Sequence, residues 1–137
     1  MACPYFSPTE RAENIALPHP ARLPLGAAWR GACMSPGHEL YVLNNQELES
    51  CNLGHAQSCP RLPMERSCDS VRFAVSSNCA GTVALRFVLD AAHHPVGHGS
   101  LEYDRVGGNW VSRHSEARIQ KLADCFLRSY LERHETA

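Results

Sequence analysis

A chain of 137 residues that is 44% hydrophobic and 20% charged is long enough to bury one hydrophobic core. Its formal net charge of −1 supplies no field to draw nucleic acid or an anionic membrane, and no stretch has the apolar length to span a bilayer. The start, Met1-Ala2-Cys3-Pro4-Tyr5-Phe6, lacks the basic end and apolar run of a secretory signal, so a cytoplasmic protein is expected, with neither nucleic acid nor membrane as partner.

Texture divides the chain near residue 70 into two parts of one expected domain spanning 1–137. Residues 1–69 hold most of the prolines and five of the seven cysteines, which reads as loops tied down by something other than a large core. Pro18, Pro20 and Pro24 make residues 17–25 extended or turn-like. A short helix is expected at Gln46–Leu53, with Asn44 or Asn45 as its N-cap and Gly54 just past its end. Cys51 falls in its last turn, and Cys59-Pro60 in the loop beyond.

Residues 70–137 read as conventional α+β structure. Val71–Val75 alternates like a strand, Asn78–Gly81 is turn-like, and Thr82–Leu89 is a second strand rich in branched residues. Ala92–Gly99, with three histidines and two glycines, reads as a turn or loop. Ser100–Tyr103 suggests a third strand, Gly107-Gly108 a break, and Trp110-Val111 an edge segment. Ile119, Leu122, Ala123, Phe126, Leu127, Tyr130 and Leu131 recur at helical spacing over Ser115–Arg133, with Ser112 or Ser115 as N-cap. The expected fold is therefore α+β: a loop-rich, cysteine-bearing N-terminal segment, a small antiparallel meander, and a C-terminal amphipathic helix with one apolar face on the sheet.

Seven cysteines are an odd count, and a reducing cytosol does not favour a disulfide framework. Metal binding is the economical reading, set against buried thiols that act as small hydrophobes. Cys3, Cys33, Cys51 and Cys59 each sit in a turn-like or element-terminal setting. Four thiolates complete the tetrahedral shell of zinc, or supply one ligand to each iron of a [4Fe–4S] cluster. No C-x₂₋₄-C knuckle of the structural zinc type occurs among the four, which favours the cluster. The Cys3-Pro4 and Cys59-Pro60 steps match the Cys-Pro that ends the bacterial ferredoxin motif, although the C-x₂-C-x₂-C run is absent. Cys68 is the substitute ligand for Cys3, with His38 and His55 as nearby imidazoles. Cys125 reads as a core residue of the last helix, and Cys79 as exposed.

The segment Cys51-Asn52-Leu53-Gly54-His55-Ala56 with Cys59-Pro60-Arg61, together with Cys3-Pro4-Tyr5-Phe6, Leu23-Pro24-Leu25-Gly26 and Leu101-Glu102-Tyr103, resembles a group of small, functionally unassigned bacterial proteins that look like iron–sulfur proteins. The resemblance implies a cluster on Cys3, Cys33, Cys51 and Cys59, and no reaction. The expected function is a [4Fe–4S] protein in electron transfer or redox sensing with a redox partner protein, Leu53, Leu62 and Trp29 lining the cluster. Two other readings stand beside it. One is a zinc-stapled structural or interaction module. The other is a metal-dependent enzyme using His93, His94 and His98.

Overall fold

The computed structural model describes residues 3–12, 23–35, 41–53, 68, 70–92 and 94–135. Two antiparallel sheets and two helices make up this part, an α+β architecture with a meander and a C-terminal helix. The first sheet comprises β1 (Phe6–Arg11), β2 (Trp29–Cys33) and β3 (Tyr41–Val42), in that spatial order. α1 (Asn45–Leu53) follows. The second sheet is a four-stranded meander of β4 (Ser70–Cys79), β5 (Thr82–Ala91), β6 (His94–Asp104) and β7 (Asn109–Ser112). α2 (Ala117–Glu135) closes the chain.

The first sheet adds three short strands to the part of the chain expected to be loop-rich. Pro8 lies within β1, which is tolerated because β1 is an edge strand and its register slips between Pro8 and Glu10. β2, Trp-Arg-Gly-Ala-Cys, alternates too weakly to announce itself, yet it pairs on both sides.

One correction concerns Ala92–Gly99. His94–Gly99 belong to the longest strand, β6, rather than to a loop. Phe87 pairs with Gly99 across the ladder, and a Cβ on Gly99 would meet that ring at 2.7 Å. The aromatic ring thus occupies the space that a side chain would take, and the glycine belongs to the sheet rather than to a turn.

The apolar face of α2 is wide enough to reach two clusters of the core. Ile119, Leu122 and Cys125 pack with Phe6, Leu25, Trp29, Leu43, Leu48 and Val71. Ala123 and Leu127, further round the same face, pack with Val83, Leu85 and Leu101. Phe73 and Phe126 border both clusters and stack with centroids 5.6 Å apart. The helix start differs from Ser112 or Ser115. The Glu116 carbonyl accepts the first helical bond from Gln120 N–H at 3.0 Å, so Glu116 holds the N-cap. Ser112 Oγ instead accepts the Glu102 N–H at 3.0 Å. Buried Gln120 ties the segment down, its Oε1 accepting the His114 N–H at 2.7 Å and its Nε2 donating to Asp124 at 3.1 Å. Trp110 Nε1 donates to the same Asp124 oxygen at 2.6 Å, fastening β7 to the helix. No helix among the described residues is long and apolar enough to cross a membrane.

The β4–β5 hairpin turns through Ala80 and Gly81, both at positive φ (54° and 79°), the signature of a two-residue type I′ turn. Alanine carries a Cβ penalty there that asparagine tolerates better. Ala80→Asn should therefore stabilise the fold by about 0.5–1 kcal/mol, raising Tm by about 2–4 °C in a thermal melt.

Candidate metal centre

The residues that carry the cysteines are positioned by short, local devices. α1 begins with a reciprocal cap. Glu47 N–H donates to Asn44 Oδ1 at 2.8 Å, and Asn44 N–H donates to Glu47 Oε1 at 3.1 Å. Asn44 is thus the N-cap, one of the two positions expected. Two turns on, Asn52 is buried and fully engaged. Its Oδ1 accepts the Trp29 N–H at 2.8 Å, and its Nδ2 donates to the Trp29 carbonyl at 2.9 Å and to the Leu48 carbonyl at 2.7 Å. The amide mimics a pairing strand and pins the end of α1 to the start of β2. Cys51, in the last turn as expected, is half-buried against the first core.

Cys33 ends β2, where it pairs with Phe6 on one side and Tyr41 on the other. It is buried, and Ser35 N–H donates to its Sγ at 3.5 Å. Cys3 stands just before β1 at the same end of the sheet. Its carbonyl accepts the Phe6 N–H at 3.2 Å, and the neighbouring Tyr5 carbonyl accepts Met34 N–H at 2.7 Å. Cys3 is buried rather than frayed. Cys68, the expected substitute, is buried in the same cluster, two residues before β4. Cys59 lies outside the described residues, as do His38, His55, Leu62 and His93.

Four sulfur-bearing side chains, Cys3, Cys33, Cys51 and Cys68, therefore border one apolar core that also holds Trp29. They are thiols, with no disulfide among the described cysteines. No group of three or more His, Cys, Asp or Glu is placed to hold a metal ion among the described residues. Trp29 Nε1 is buried and finds no acceptor among the described residues. Arg11 and Arg128 lie over its ring, 5.1 and 5.8 Å from the centroid, and Arg11 also pairs with Glu132.

The remaining cysteines divide as expected. Cys79 is exposed at the end of β4. Cys125 is buried in α2, and desolvation, reinforced by neighbouring Asp124, pushes its thiol from 9.0 up to about 11, with Lys121, Arg128 and Arg11 opposing. His94 and His98 stand exposed on β6. Asn52 and Ser35 are the site residues that sequence reasoning passed over. The Asn-x-x-Glu cap was legible, but a buried amide gripping a distant strand leaves no periodic signal. Comparison with family models, with curated proteins and with solved structures finds no match to this chain.

Two outcomes follow. Asn52→Ala leaves the Trp29 N–H and carbonyl short of partners in the core, and should cost about 2–4 kcal/mol in urea denaturation. The raised Cys125 thiol favours folding while it stays protonated. That contribution is complete below pH 9.0 and is lost as pH rises towards 11, so Cys125→Ala should flatten the stability decline over that window.

Proposed function

We propose that this chain is an iron–sulfur protein that binds a [4Fe–4S] cluster through Cys3, Cys33, Cys51 and Cys59 and acts in electron transfer or redox sensing with a partner protein. The observation that carries this reading is the convergence of thiols from separate segments on one apolar core: Cys3, Cys33 and Cys51 together with Cys68. The donor chemistry suits iron. Thiolates are its ligands in such clusters, and N–H···S bonds such as that from Ser35 to Cys33 stabilise sulfur in its charged form. Burial keeps water away and tunes the potential, and the indole N–H of Trp29 adds a donor in the same core. Among the described residues the thiols share this core without closing a ligand shell. Cys68 is accordingly the alternative fourth ligand.

Anaerobic purification tests the proposal. The protein should be brown, carry about four iron and four sulfide per chain, and absorb broadly near about 400 nm with bleaching on reduction. Cys33→Ser, Cys51→Ser and Cys59→Ser should each lose most of the iron, while Cys79→Ser on the exposed strand end keeps it. Comparing Cys3→Ser with Cys68→Ser identifies the remaining ligand. A colourless protein with one tightly held zinc would overturn the cluster in favour of a stapled structural module.

A further inference from the structure

Two buried side-chain nitrogens have no hydrogen-bond partner among the described residues, Trp29 Nε1 and Arg11 Nε. Buried donors without an acceptor are uncommon, and each calls for an explanation. These two belong to neighbours. Arg11 and Trp29 pair directly across β1 and β2, so their side chains share one face of the first sheet. The guanidinium carbon of Arg11 lies 5.1 Å from the centre of the indole. Trp29 is 1% exposed, and Asn52 already takes its backbone N–H and carbonyl.

The charge around the ring decides what acceptor suits these donors. Arg128, from α2, lies 5.8 Å from the indole centre. Glu132, one turn further along, pairs with Arg11 and, at 3.5 Å, with Arg128. Two guanidinium groups and one carboxylate leave a positive charge in excess beside the indole. A water molecule brings hydrogens of its own that need acceptors. The carboxylate at hand, that of Glu132, is held by both arginines. An anion needs donors alone. The rim lets a small ion pass, because the side chains of Arg128 and Glu132 are 64% and 48% exposed.

We propose that Trp29 Nε1 and Arg11 Nε bind a monatomic anion, a halide such as chloride, where β1 and β2 meet α2. Both N–H groups donate to the ion, and such bonds to a charged acceptor are stronger than those between neutral groups. Arg128 adds to the local field. An ion that binds only the folded chain stabilises it in proportion to the logarithm of its concentration. The site uses no thiol. A halide and a sulfur of the cysteine core are alternative acceptors for the indole N–H, and the experiment separates them.

The test is an NMR titration of the full chain in which sodium chloride replaces sodium gluconate at constant ionic strength, read on the two indole N–H resonances. The Trp29 resonance should shift saturably with Kd at or below about 50 mM. The Trp110 resonance, whose N–H is bonded to Asp124 at 2.6 Å, should stay in place. Sodium bromide should act alike, and Tm should rise with either halide. Arg11→Lys keeps the charge opposite Glu132 but removes the Nε–H. It should weaken chloride at least about tenfold and leave the circular dichroism spectrum unchanged. An unmoved Trp29 resonance up to about 500 mM chloride, equal movement of both resonances, or undiminished binding in Arg11→Lys would overturn the proposal. So would a Trp29 shift that appears only when iron is bound, which assigns the N–H to a cluster sulfur.

Discussion

Apolar burial along one wide face of α2 holds the described fold together. Residues of α2 fall at about 100° intervals around its axis, so Ile119 and Leu122 take one part of that face while Ala123 and Leu127 lie further round it. The first part packs with the three-stranded sheet and α1, the second with the meander. Each large side chain buried this way contributes about 1.5–3 kcal/mol, and the two sheets share no ladder of their own. Phe73 and Phe126, stacked at the boundary, join the two clusters into one continuous interior. Cys125 is drawn into that interior by its place on the helix, and its thiol is correspondingly hard to ionise.

The N-terminal part depends on a second kind of contact. Its strands are short, and its helix has little amphipathic character. Polar groups supply the missing definition: the Asn44–Glu47 cap starts α1, and the Asn52 amide locks its end to Trp29. These bonds fix the turn of α1 that carries Cys51 against the start of β2. A metal centre there would be built from thiols that border one apolar core.

Legibility in the sequence tracked the strength of local periodicity. α2, β4 and β5 were readable because apolar residues repeat at 3.6 or 2 residues, and the exposed Cys79 and buried Cys125 followed from those assignments. β6 was hidden because Gly97, His98 and Gly99 have the composition of a turn, and only the cross-strand ring of Phe87 makes that segment a strand. β1 was hidden by Pro8, which an edge strand with a slipped register accepts. The cap of α2 was misread for a related reason. Serines are good caps in isolation, but Ser112 Oγ is committed to the Glu102 N–H of the neighbouring strand.

The sequence by itself determined the α+β class, the C-terminal helix, the concentration of thiols in the first half and the capping of α1. Each of these is a local property, encoded in spacing and composition. Tertiary structure alone decided that α2 reaches two clusters of the core, that Cys68 shares a core with Cys3, Cys33 and Cys51, and that Asn52 grips Trp29. Periodicity marks which face of an element is apolar, but not which distant element will cover it. A buried polar side chain acquires its partner only when the chain has folded around it.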